Sequence, residues 1–143
     1  MLIGTYNHNL DAKGRVFMPV KLREGLGEHF IVTKGVGKCL FVFSLEEWER
    51  FSEKLKNVPI SNVAAQNFLR MFFANACECE PDKQGRILIP QRLREYIAAE
   101  KEAVITGVMN RVEIWAKEGW EAYSEQSDSE YEETLAQLAE LGI

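Results

Sequence analysis

The chain has 143 residues, 46% of them apolar and 27% charged, with a formal net charge of −5. That balance excludes an intrinsically disordered or fibrous chain and fits one ordinary domain, or two small units sharing a core. No run of about 18 apolar residues marks a membrane span, and the N-terminal MLIGTYNHNLDAKGR lacks the basic and apolar regions of a secretory signal.

From the N-terminus, Gly4–Asp11 alternates enough to predict a short strand running into a turn. The turn is Asp11-Ala12-Lys13-Gly14-Arg15: the Asp carboxylate bonds backbone N–H groups two residues on, and Gly supplies a positive φ. A β-suited run, Arg15–Met18, stops at Pro19, which suits the first turn of a short helix. Leu22 and Leu26 should face inward there, and Gly25 and Gly27 end it. FIVTKG and CLFVFS then read as a hairpin. Ser44-Leu45-Glu46-Glu47 has the form of a capping box, opening a helix with Leu45, Trp48, Phe51 and Leu55 at helical spacing. A second helix is predicted from about Ser61 to Asn75, with Val63, Phe68, Leu69, Phe72 and Phe73 on its apolar side.

At this point the wording returns. DAKGRVFMPVKLRE (Asp11–Glu24) is matched by DKQGRILIPQRLRE (Asp82–Glu95) at an offset of 71. The strand before the turn matches too, with GTYNHNLD over NACECEPD. Downstream, Ile31–Phe51 lies over Ala103–Tyr123 at an offset of 72, which pairs Phe43 with Trp115, Trp48 with Trp120 and Phe51 with Tyr123. Leu93 and Ile97 are therefore the inward residues of a second short helix, and AVITGV and RVEIWA a second hairpin. A last helix, Ser129–Leu141, is predicted with Tyr131, Leu135 and Leu138 inward and its acids outward. Two units of about seventy residues are too few and too long for a solenoid, so the duplication predicts one pseudo-twofold domain.

The net charge is unevenly placed. Residues 117–143 carry one cation against eight acids, a net −7, which leaves +2 for residues 1–116. Each quoted 14-mer holds four cations and two anions, so the repeats are locally basic.

The paired D-x-x-G-R, three apolar residues, Pro, x-x-Leu-Arg pattern resembles the core of the SpoVT/AbrB-type swapped-hairpin DNA-binding domain. Two such copies in one chain, with LEEWE after the first and ECE before the second, resemble the MraZ family of bacterial transcriptional regulators. The likeness runs from Gly4 to about Tyr123. It implies an α+β fold, a β-rich pseudo-twofold barrel built from two AbrB-like repeats and flanked by helices. The organisation it suggests is repeat 1 over 5–47, linking helices over 48–75, repeat 2 over 76–119 and an acidic C-terminal helix over 120–143. It further implies double-stranded DNA as partner, in the form of short promoter direct repeats upstream of the chain's own operon in the division and cell-wall gene cluster. The resemblance also implies a ring-shaped homo-oligomer such as an octamer. Asp11, Gly14 and Arg15, with Asp82, Gly85 and Arg86, are the positions it places on the DNA-binding face.

The residues carry their own reading of that face. An Arg directly after a Gly turn can aim its donors at phosphate or at guanine O6 and N7. The preceding Asp, acceptor only, suits fixing the turn or orienting the Arg. Lys13 and Lys83 suit phosphate contacts, which add affinity and salt dependence but little sequence information. The plainer alternative makes Arg15 and Arg86 ordinary turn residues paired with their aspartates; the repetition of the same chemistry favours DNA contact. Lys21, Arg23, Arg92 and Arg94 read as a solvated or interface face of the short helices, and Trp48, Trp115 and Trp120 as core or subunit-contact aromatics.

Three cysteines without framework spacing suit a reducing compartment, so the expected location is the cytoplasm; the resemblance implies association with the nucleoid there. Cys77-x-Cys79 has no second pair to complete a zinc set, and a composite site with His8 is the weaker reading beside two buried thiols. No G-x-S-x-G, Walker or H-E-x-x-H pattern occurs, so no enzyme, cofactor or metal is expected. No membrane contact or small-molecule substrate is expected either. The alternative function is a protein-interaction module of the same fold, antitoxin-like or scaffolding.

Overall fold

The computed structural model describes every residue from Met1 to Ile143. In chain order its elements are β1 (Thr5–Asn9), β2 (Arg15–Phe17), α1 (Val20–Leu26), β3 (Phe30–Lys34), β4 (Leu40–Ser44), α2 (Leu45–Leu55) and α3 (Val63–Ala74). The second half follows with β5 (Cys77–Cys79), β6 (Arg86–Leu88), α4 (Gln91–Tyr96), β7 (Glu102–Gly107), β8 (Val112–Ala116), α5 (Lys117–Ser129) and α6 (Tyr131–Ala139).

The strands form a six-stranded sheet, ordered β1-β7-β8-β4-β3-β5, and a two-stranded ribbon, β2-β6. Every pairing is antiparallel, and four of the six join one repeat to the other: β1 with β7, β3 with β5, β4 with β8 and β2 with β6. Exchanging the repeats reverses the sheet order and leaves it unchanged. The equivalent residues Val16 and Ile87 face each other in the ribbon, and Phe41 faces its equivalent Glu113 in the sheet. The duplication is thus a pseudo-twofold in which neither half has a complete sheet of its own. Sheet and ribbon are separate ladders, with Leu10 bridging to Val16 where β1 leads into the ribbon.

One cluster of 19 buried side chains spans both repeats. Val16, Met18, Leu22, Leu26 and Phe30 of the first half meet Ile87, Ile89, Leu93, Ile97 and Ile105 of the second. The inward residues of the short post-proline helices are those the spacing indicated, and Gly27, at φ 85°, ends α1.

Helix α2 opens on Ser44, whose hydroxyl accepts the Glu47 N–H at 3.2 Å. It stacks with α3 around Phe72, which is buried and lies 5.3 Å from the Trp48 ring. The Thr33 hydroxyl donates to the Phe72 carbonyl at 2.5 Å and ties α3 to β3. In the second half Trp115 packs with Trp120 and Tyr123 of α5, matching the way Phe43 packs with Trp48 and Phe51.

The C-terminal segment departs from expectation. The single acidic helix expected over 120–143 is two helices broken at Glu130, of which α6 answers to the one expected over 129–141. Of the face expected to turn inward, Leu138 is half-buried while Tyr131 and Leu135 are exposed, at 61% and 47%. The apolar spacing was read correctly as a helix, but spacing does not say whose surface the stripe covers. No helix is long and apolar enough to cross a membrane.

Candidate nucleic-acid interface

The two D-x-x-G-R turns are built alike. Asp11 Oδ1 accepts the backbone N–H groups of Lys13 and Arg15 at 3.0 and 2.9 Å, while Oδ2 accepts Arg15 Nε at 2.8 Å. Asp82 repeats the set with Gln84 N, Arg86 N and Arg86 Nε at 2.9, 2.9 and 3.0 Å. Gly14 and Gly85 sit at φ 87° and 81°, a backbone conformation costly for side-chain-bearing residues.

These bonds set the electrostatics. The Arg15 backbone N–H is the chief cause that holds the Asp11 carboxyl down at about 2; desolvation opposes it, and the Arg15 guanidinium and the Lys13 N–H add to the lowering. The Asp82 carboxyl is likewise lowered, chiefly by the Arg86 N–H. Both aspartates are therefore ionised at neutral pH and act as orienting acceptors.

Each guanidinium is anchored through Nε, which leaves its terminal nitrogens for an outside acceptor. The Arg15 guanidinium makes no other bond in the chain, and that of Arg86 adds only a 3.8 Å approach of Nη1 to Asp11 Oδ2. Both arginine side chains are about a third exposed, at 32%.

The ribbon register is Arg15 opposite Leu88 and Phe17 opposite Arg86, with Val16 and Ile87 turned into the core. Arg15, Phe17, Arg86 and Leu88 thus share the outer face. The two arginines lie on its diagonal, where side chains are roughly 7–8 Å apart. Lys13 and Lys83 are exposed at the turns and make no ion pair. All eight residues singled out from the sequence therefore meet at one end of the molecule.

Two residues belong here that the sequence reading placed elsewhere. Arg23 Nε donates to Met18 O at 2.8 Å and Arg94 Nε to Ile89 O at 3.0 Å. Both side chains turn away from open solvent and lie over the turns of the opposite repeat. Their repetition at an offset of 71 was the available signal; where they point depends on the strand exchange. Lys21 and Arg92 stay outside, Arg92 bonding Asn75 Oδ1 at 3.2 Å.

Cys77 and Cys79 point to the same side of β5, half-buried and buried respectively. Hydrogen bonding to Cys79 lowers the Cys77 thiol to about 7, and the same bond with burial raises that of Cys79. His8 lies on β1 at the opposite end of the sheet, so the composite cysteine–histidine site does not assemble.

A family model described as "MraZ protein, putative antitoxin-like" matches the chain twice, over residues 1–71 and 72–140. The chain belongs to the MraZ family. Similar proteins include one from Thermoanaerobacter sp. strain X514, 54% identical over all of both chains, and one from Pelotomaculum thermopropionicum, 52% identical over all of this chain and 99% of that one. A third, from Caldicellulosiruptor saccharolyticus, is 54% identical over the full length of both. All three are named "Transcriptional regulator MraZ".

Proposed function

We propose that this chain is a sequence-specific DNA-binding transcriptional regulator whose β2–β6 ribbon enters the major groove. The carrying observation is the pair of Asp-anchored arginines, Arg15 and Arg86, on one outer face of a two-stranded ribbon. A two-stranded ribbon has the width that a major groove about 12 Å across admits. Bidentate contact of each Arg fork with guanine O6 and N7 supplies base reading, and Lys13 and Lys83 supply phosphate contacts. The names borne by the relatives support a role in transcription. Short direct repeats upstream of the chain's own operon, in the division and cell-wall cluster, are the proposed targets, and the protein would act in the cytoplasm at the nucleoid.

A chain with four cations on its reading face binds a single site weakly, and several copies in a ring gain through effective concentration. The surfaces left for ring assembly are helical: Phe68, Met71 and Phe73 on α3, with Tyr131 and Leu135 on α6, are all exposed. Protomers would meet through these faces while the ribbons present the arginines.

The test is titration of a labelled upstream duplex with the wild-type chain and with Arg15→Ala and Arg86→Ala. The reading requires loss of binding in both variants with the fold intact. Unchanged affinity would remove the arginines from the interface.

A further inference from the structure

Each repeat reaches across the pseudo-twofold to hold the other repeat's turn. The Arg94 side chain, anchored through Nε to Ile89 O, lies so close over Gly14 that a methyl group there would stand 2.5 Å from its Cζ and Nε. Arg23, anchored to Met18 O, lies over Gly85 in the same way, 2.9 Å from such a methyl, and its guanidinium sits 5.3 Å from the Phe17 ring centre. The backbone repeats this exchange: Ile89 N donates to Gly14 O and Met18 N to Gly85 O, both at 2.9 Å.

We infer that Arg94 and Arg23 are positioning residues acting in trans, Arg94 setting the turn that aims Arg15 and Arg23 the turn that aims Arg86. The inference rests on the DNA reading above and adds to it a coupling between the repeats. Because Nε is spent on a carbonyl of its own repeat, each guanidinium lies as a flat plate against the opposite turn. The plate fills the space that a Cβ at the glycine would need, so a side chain there would strain φ and also displace the arginine. A lysine has the charge but neither the plane nor the Nε donor, and does not replace it.

The effects should cross between repeats. In Arg94→Ala the amide resonance of Gly14 shifts more than that of Gly85, and in Arg23→Ala the order reverses. Duplex affinity falls roughly tenfold in each, the scale of one lost charge-assisted bond. In double-variant cycles, Arg94→Ala and Arg15→Ala together cost less than the product of their separate losses, because both disable one turn. Arg94→Ala with Arg86→Ala multiplies. Arg94→Lys, which keeps the stem and the charge, behaves as Arg94→Ala and guards against an effect of truncation alone.

Amide shifts confined to the variant's own repeat would overturn the inference. So would cycles that multiply in every combination with a salt slope lower by about one and recovery in Arg94→Lys, the signature of a direct phosphate contact. If Arg15→Ala and Arg86→Ala themselves leave DNA binding unchanged, the DNA reading fails, and the crossed amide pattern still decides the clamp.

Discussion

Asp11 Oδ2 lies 2.8 Å from Arg15 Nε in its own repeat and 3.8 Å from Arg86 Nη1 in the other. One carboxylate thus faces both candidate reading arginines, and the equivalent Asp82 faces Arg86 alone. The two halves share a pattern without being identical, and both arginines lie on one face of the ribbon.

Replacing either arginine by Ala should weaken specific duplex binding by roughly 5- to 150-fold, the equivalent of a lost bidentate base contact. Thermal stability should move little, since both side chains are a third exposed. Mobility-shift titrations with melting curves on the same samples separate the two effects.

Lys13→Ala and Lys83→Ala should act differently. Affinity for specific and random duplexes should fall by a similar factor, and the slope of log affinity against log salt should drop by about one per lysine. A change in base preference would instead place these lysines at base edges.

The aspartates predict the acid behaviour. The Asp11 carboxyl falls from an ordinary 3.8 to about 2 on folding, so its stabilising contribution is complete above about pH 4 and disappears as pH falls through 2. Asp82 contributes with the same sign. NMR titration of the two carboxyls should show both below the ordinary value. Asp11→Asn and Asp82→Asn should reduce the loss of stability over that acid window.

The ribbon's inner face predicts a fold defect felt by both repeats. Ile87 is fully buried opposite Val16, and Ile87→Ala should cost about 2–5 kcal/mol in unfolding free energy. Denaturant melts measure this directly. The loss should exceed that from any substitution on the ribbon's outer face.

Leu135 is exposed on α6, so Leu135→Asp should leave the chain folded while reducing assembly. Light scattering would show smaller particles. Binding to an array of repeats should weaken far more than binding to a single repeat, because the loss is one of effective concentration.

Local chemistry made much of this fold legible. Asp11 and Gly14 spell a turn whatever surrounds them, Pro19 and Pro90 begin helices by their fixed φ, and Ser44 caps α2 through a bond three residues away. The duplication announced the pseudo-twofold. Spacing did not show that β1 pairs with β7 and β5 with β3, since those partners are set by tertiary exchange. For the same reason Arg23 and Arg94 read as a solvated or interface face of the short helices, although they lie on the opposite turns. Tyr131 and Leu135 show the other limit: an apolar stripe encodes burial without naming the partner that buries it.

The measurement that tests the central claim most directly is binding of the upstream duplex to wild type and to the Arg15→Ala/Arg86→Ala double variant, across salt and against random competitor. The account predicts wild-type binding that weakens steeply with salt, survives competition, and is reduced to the random-duplex level in the double variant. A folded double variant that binds the upstream duplex as tightly and as selectively as wild type would contradict it.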